Sequence, residues 1–245
     1  MTIMAAREIK NGDIVFCGTG ISMVAAMAAK HIHAPESVIF FETGSIDSSL
    51  ADIPLAVSDP RVMYGGASNG SLLDAFATMQ NRETGTRVIG IVGAAQIDRF
   101  GNLNSTVIGD YHAPITRLAG SGGACDVASF VPRCIVFMKH EKRRFVSKLD
   151  FLTSPGYIDG PLGRKRAGLP ERIETTVITD MGVMRFLPDT ADMYLDRHYR
   201  GVSPEDILDN TGFEIDISRA TPAIPPKLDE LKILRETCDP EGYFS

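Results

Sequence analysis

Glu42 is the residue best placed to do chemistry. It lies within residues 37–45, Ser-Val-Ile-Phe-Phe-Glu-Thr-Gly-Ser, directly after an apolar run and directly before a glycine turn. The run 38–41 is too short for a helix and rich in β-branched and aromatic residues, so it reads as a buried strand of an α/β sheet. A carboxylate at the carboxyl end of such a strand lies on the edge where open α/β sheets bind ligands. Partly desolvated there, it is suited to act as a base or a nucleophile. Position alone leaves a plainer reading open, in which Glu42 is the first solvated residue of a loop.

Three glycine-bearing segments are candidates to surround such a carboxylate. Residues 120–126, Gly-Ser-Gly-Gly-Ala-Cys-Asp, carry adjacent glycines whose backbone N–H groups can approach a ligand closely and point the same way. An oxyanion hole needs donors of that kind; a flexible loop is the alternative. Residues 93–98, Gly-Ala-Ala-Gln-Ile-Asp, follow an apolar run at 87–92. They too reach the carboxyl edge, where Gln96 offers an amide that both donates and accepts. Asp98 reads better as a cap on the turn with Gly101 than as a catalytic group. Gly18-Thr19-Gly20 has phosphate-cradle geometry. Met23 fills the third glycine position of the dinucleotide fingerprint, so a tight strand–helix turn is expected.

The basic run 139–144, Lys-His-Glu-Lys-Arg-Arg, reads either as an anion anchor or as a solvated face. His140 has no nucleophile paired with it by motif, and no G-x-S-x-G elbow occurs, which argues against a serine hydrolase.

The elements that must hold these residues alternate. Residues 13–17 read as a strand, 21–30 as an Ala- and Met-rich helix and 37–41 as the next strand, a βαβ unit with a parallel sheet. A helix is expected at 71–80 and strands at 87–92, 134–138 and 175–179. Ser203, Pro204 and the acids after them open a helix that ends near Thr211-Gly212. A final helix spans roughly 227–237. The expected class is α/β, an open and mainly parallel sheet flanked by helices, as one domain over residues 1–245.

Composition sets the outer bounds. The 245 residues are 44% hydrophobic and 23% charged, an ordinary globular balance. A net charge of −6 gives no general attraction to nucleic acid or anionic lipid. Cys17, Cys125, Cys134 and Cys238 lack metal-ligand spacing, so structural zinc and a disulfide framework are not expected, and reduced thiols in the cytoplasm fit. No apolar stretch reaches spanning length, and the first ten residues lack a secretory signal.

Residues 41–47 (Phe-Glu-Thr-Gly-Ser-Ile-Asp), 93–106 (Gly-Ala-Ala-Gln-Ile-Asp-Arg-Phe-Gly-Asn-Leu-Asn-Ser-Thr) and 120–124 (Gly-Ser-Gly-Gly-Ala) occur in this order and spacing in type I CoA-transferases. The chain resembles their β subunit, most closely that of the glutaconate enzymes. Further likeness runs through 108–112, 138–145, 153–160 and 204–213, so it covers nearly the whole chain.

The resemblance implies that Glu42 is a nucleophile that forms a glutamyl-CoA thioester. It implies that Gly122 and Gly123 donate N–H groups to the oxyanion, and that Gly44, Gly93, Ala94 and Gln96 line the thioester and pantetheine path. Coenzyme A is then a substrate, no metal or other cofactor is needed, and a related α subunit completes a hetero-oligomer acting on acyl-CoA and a carboxylic acid, glutaconate-like and dicarboxylic. Residues 57–86 fit the glutaconate pattern poorly, which leaves the acid and the role of that stretch open. Relatives on this scaffold also act as acyl-CoA hydrolases, decarboxylases or C–C-cleaving enzymes, some without the glutamate, and similar domains serve as effector-binding modules. Retention of Glu42 argues for transfer.

Overall fold

The computed structural model describes the chain apart from Ala51, Arg172 and Ser245. Its residues gather into two compact units, Met1–Val92 with Pro226–Ser245, and Gly93–Pro225. Both are α/β, each with an open sheet of parallel and antiparallel strands flanked by helices, the class the sequence implies.

In the first unit the strands are β1 (Ile14–Cys17), β2 (Val38–Phe40), β3 (Ser45–Ile46), β4 (Ser68–Asn69) and β5 (Val88–Gly93). Their order is β5-β1-β2-β3-β4. β1 runs parallel to both β2 and β5, while β3 and β4 turn back antiparallel. All four residues of β1 and the first five of β5 are buried, as in a parallel sheet covered on both faces. Helices α1 (Thr2–Ala6), α2 (Ile21–Ile32) and α3 (Leu72–Gln80) belong to this unit, as does a helix near the C-terminus.

Seven consecutive positions of α2, Met23 to Ala29, are buried. A helix apolar all round must be enclosed. Accordingly α2 contacts β1, α1 and a C-terminal helix, Leu228–Ile233. That C-terminal helix is pinned by Arg7, whose guanidinium donates to both Glu230 oxygens at 3.0 and 2.6 Å, the bidentate geometry that makes such pairs strong. The final helix has the expected extent but changes its winding. After Ile233 the chain opens into a π turn, Leu234–Cys238, with the Asp239 N–H donating to the Leu234 carbonyl at 2.9 Å.

The second unit adds two short hairpins, β6 (Gln96–Ile97) with β7 (Leu103–Asn104) and β8 (Val107–Gly109) with β9 (Pro114–Arg117). Then follow α4 (Ala124–Phe130), β10 (Arg133–Phe137), α5 (Gly163–Arg166), β11 (Glu174–Ile178), β12 (Gly182–Phe186), β13 (Met193–His198), α6 (Pro204–Asp209) and β14 (Thr221–Pro222). Strand order here is β14-β13-β12-β11-β10. β10 and β11 are parallel, and β12 and β13 return antiparallel. The sequence reading places no strand at β12 or β13, although Met193 and Leu195 are buried while Tyr194 and Asp196 are half-buried, a period-two signal. α6 opens on the expected cap. The Ser203 hydroxyl accepts from the Asp206 N–H at 3.1 Å and the Asp206 carboxylate accepts from the Ser203 N–H at 2.8 Å, a reciprocal capping box. No helix among the described residues is long and apolar enough to cross a membrane.

Candidate active site

β2 stops at Phe40 because Phe41 already belongs to a turn. Its N–H donates to the Ser45 carbonyl, and its carbonyl accepts from the Gly44 N–H, both at 3.0 Å. The result is a hairpin between β2 and β3 whose loop is Glu42-Thr43-Gly44. A β-turn is followed by a left-handed glycine, Gly44 at φ +93, the usual geometry of a three-residue hairpin loop. Glu42 takes the first central position of the turn and is half-buried. Since β2 is parallel to β1, and β1 to β5, this loop leaves the carboxyl edge of those strands.

Gly44 is required for a second reason. A Cβ there would fall 2.6 Å from the Gly70 carbonyl carbon and oxygen and 2.7 Å from the Ser71 oxygen. The Gly70 N–H donates to the Gly44 carbonyl at 2.8 Å. The loop tip is thereby locked onto the start of α3, where the Asp74 carboxylate accepts from the Ser71 N–H at 2.7 Å in a capping box. Part of the stretch 57–86, whose role the sequence leaves open, is thus packed beside the Glu42 loop.

Gly93, the last residue of β5, is exposed, and Ala94, which opens the loop after it, is half-buried. Gln96 is buried at 5% exposure, and its amide is held in a network. The Gln96 oxygen accepts from Asn104 Nδ2 at 2.7 Å, and Gln96 Nε2 donates to Asp150 Oδ2 at 3.0 Å. Asp150 also accepts from the Gly109 N–H at 3.1 Å. Gln96 therefore anchors the base of the Gly93–Ala94 loop. Asp98 caps its turn as read: one carboxylate oxygen accepts from the Phe100 and Asn102 N–H groups at 2.9 and 3.0 Å, with Gly101 at φ +73.

The second glycine loop takes a nest-like path. Gly120 has φ +92 and Gly122 φ +48, and Gly123 returns to right-handed values (φ −76, ψ −5) as the N-cap of α4. Successive left- and right-handed residues turn neighbouring N–H groups toward a common concavity. Gly122 is exposed and Gly123 buried. Ser105 binds this loop twice, its carbonyl accepting from the Gly120 N–H at 2.9 Å and its hydroxyl donating to the Gly120 carbonyl at 2.8 Å. Asn104 and Ser105 are adjacent, so one short segment ties both glycine loops together. The sequence reading assigns no role to Asn104, Ser105 or Asp150; the Asn-Leu-Asn-Ser run was the available signal.

The other candidates have structural roles. A Cβ on Gly20 would lie 3.5 Å from the Phe244 ring, so Gly18–Gly20 is a covered strand–helix turn. In the basic run, Glu141 accepts from Arg143 and Arg144 at 2.7 and 3.0 Å. Burial raises the thiols of Cys17, Cys134 and Cys238, that of Cys134 to about 12 and that of Cys238 to about 11, which removes thiolate chemistry from them.

His140 is 4% exposed, stacks on Phe145 with centroids 4.0 Å apart, and shares a 3.0 Å hydrogen bond through Nε2 with the Thr211 hydroxyl. Burial lowers its pKa to about 4, against an ordinary 6.5. The folded state then binds fewer protons than the unfolded state between those values. This contribution to stability is complete above pH 6.5 and declines as pH falls toward 4, by about 3 kcal/mol at most. Urea unfolding of the native protein should show that decline, and His140→Gln should flatten it. An unchanged slope in the variant would assign the acid sensitivity elsewhere.

A sequence profile described as coenzyme A transferase matches residues 1–210. The chain is 43% identical to the β subunit of the glutaconate CoA-transferase of Acidaminococcus fermentans, over 99% of this chain and 92% of that protein. It is 35% identical to the β subunit of the 3-oxoadipate CoA-transferase of Pseudomonas knackmussii, over 88% of this chain and 82% of that one. The crystal structure of the Acidaminococcus fermentans glutaconate enzyme superposes with a TM-score of 0.95 at 42% identity, covering 99% of this chain and 94% of the other. Sequence likeness over nearly the full length and a shared backbone thus agree with the motifs around Glu42, Gly93 and Gly120: the chain belongs to the coenzyme A transferase family.

Proposed function

We propose that this chain is the β subunit of a CoA-transferase that moves coenzyme A from an acyl-CoA donor to a dicarboxylic acid, with Glu42 as covalent nucleophile. The carrying observation is the glutamate at the tip of a locked hairpin on the carboxyl edge of a parallel sheet. Both close relatives are named for dicarboxylic acids, glutaconate and 3-oxoadipate, which supports that substrate class. Each of them is one subunit of a larger enzyme, which supports a related partner subunit and a hetero-oligomer here. The four free cysteines fit a cytoplasmic setting. Alignment along nearly the full chain supports treating residues 1–245 as one β-subunit domain.

In this reading a Glu42 carboxylate oxygen attacks the thioester carbonyl. The tetrahedral oxyanion collapses with loss of the CoA thiolate, leaving an acyl-glutamyl anhydride. The thiolate attacks the glutamyl carbonyl and expels the donor acid as its carboxylate. The acceptor carboxylate then attacks the resulting glutamyl-CoA thioester, and the same steps run in reverse. Each oxyanion needs fixed donors, the role assigned to the N–H groups of Gly122 and Gly123. Gly93 and Ala94 line the thioester path, with Gln96 holding that loop. Gly44 contributes by shaping the nucleophile turn. Coenzyme A enters as substrate, and the scheme requires no further cofactor.

Borohydride trapping tests this directly. The complex with its partner subunit is incubated with acyl-CoA, reduced and mapped by mass spectrometry. Glu42 should be recovered as the corresponding alcohol. Exchange of CoA with Glu42 left unmodified would refute the covalent mechanism and favour a hydrolytic or lyase reaction on this scaffold.

A further inference from the structure

Lys30, in the last turn of α2, reaches the hairpin that carries Glu42. Its ammonium donates to the Ser37 carbonyl at 2.9 Å and to the Asp47 carboxylate. Ser37 immediately precedes β2, and Asp47 immediately follows β3. One cation therefore bridges both feet of the hairpin.

The second arm depends on that bridge. β3 is two residues long and faces β2 at a single pair, Phe40 opposite Ile46. Directly after it, Asp47 adopts φ +51, in the left-handed region that is uncommon outside glycine, although aspartate enters it more readily than most residues. Such a conformation persists where its surroundings over-determine it, and functional sites are where it recurs. Here the Asp47 N–H donates to the Ile39 carbonyl at 2.6 Å while its carboxylate meets Lys30. At the far end of the same arm, Gly44 is locked on Gly70. The arm is thus fixed at foot and tip, and Glu42 sits beside the tip.

We propose that Lys30 is a positioning residue for the transfer reaction: by joining Ser37 to Asp47 it sets the pitch of the hairpin and so the direction from which the Glu42 carboxylate attacks. The proposal rests on the reading of Glu42 as nucleophile. Small displacements of a reacting group cost large factors in rate, whereas the same half-exposed ion pair adds little to folding. Rate and stability should therefore separate.

Three variants, each assembled with the partner subunit, test this by kcat, by KM for acyl-CoA, by the single-turnover rate of borohydride-trappable thioester and by urea midpoint. Lys30→Met should lower kcat by roughly tenfold or more, with KM changed by less than about threefold. Lys30→Arg, which keeps the cation, should recover most of that rate. Asp47→Gly removes the carboxylate but relieves the backbone. It should keep the native urea midpoint and still lose rate by a similar factor. Native kcat in Asp47→Gly, or losses that track the urea midpoint across the variants, would overturn the proposal. If Lys30→Met does not fold, Asp47→Gly decides alone. Trapping in the native protein judges the nucleophile separately. A label away from Glu42 refutes that reading, whereas a label on Glu42 with unchanged kcat in the variants refutes the positioning role only.

Discussion

Replacing Glu42 with alanine should lower CoA exchange by about six orders of magnitude, the scale seen when a covalent nucleophile is removed. The fold should survive. Glu42 is half-buried in a turn whose closing hydrogen bonds run through the backbone of Phe41, Gly44 and Ser45. Alanine satisfies the first central position of such a turn without strain. Glu42→Asp is the sharper experiment. It keeps the charge and withdraws the carboxylate by one methylene, about 1.5 Å, which should cost on the order of a hundredfold. Exchange assayed with native circular dichroism checks both. Near-native exchange in the aspartate variant would mean that the carboxylate acts as a base at longer reach. Near-native exchange in the alanine variant would remove Glu42 from the chemistry.

Arg164→Met should be among the most destabilising single changes in the second unit. Arg164 is 1% exposed. Its guanidinium is met by carbonyl oxygens: Pro170 at 2.7 Å, Ser129 at 2.8 Å, Ala128 and Gly156 at 3.0 Å, and Pro155 at 3.4 Å. Two of these, Ala128 and Ser129, lie in the last turn of α4, where a cation complements the helix dipole and satisfies orphan carbonyls. Methionine fills the volume but leaves those oxygens buried without donors, a cost of about 3–5 kcal/mol. For a chain of this size that is a fall in Tm of about 10 °C or more. Arg164→Lys should recover little, because an ammonium cannot reproduce the planar fork. Gly123 is the N-cap of α4, so exchange should fall with stability. Thermal unfolding followed by circular dichroism is the check, and a loss below about 1 kcal/mol would show that water replaces the guanidinium.

The parts of the fold that can be read from the sequence are those buried on both faces. β1, β2, β5 and β10 are continuous apolar runs, and such runs declare themselves without tertiary context. The capped helices α3 and α6 are legible for a local reason, a Ser with Asp three residues later. β3, β4 and β6–β9 are two to four residues long, too short for any period to register. Their pairing is fixed by residues distant in the chain.

The site divides in the same way. Glu42 and the glycines stand out because residue type and neighbours carry the signal. The groups that hold them do not. Lys30 meets Asp47 across 17 residues, Gln96 meets Asp150 across 54, and Arg164 meets Ala128 across 36. Nothing local marks those side chains as partners. Gly44 is intermediate: its positive φ is expected of a turn glycine, but its contact with Gly70 is visible only in three dimensions.

The clasp between Arg7 and Glu230 has a consequence for the order of events during synthesis. Its two halves are 223 residues apart. At about 5–20 residues per second, roughly 10–45 s separate the appearance of Arg7 from that of Glu230. Throughout that interval α2 lacks the C-terminal helix it packs against, and Phe244 is not yet there to cover Gly20. The intervening residues Gly93–Pro225 are translated first in full, so the unit that bears Glu42 is the last to close.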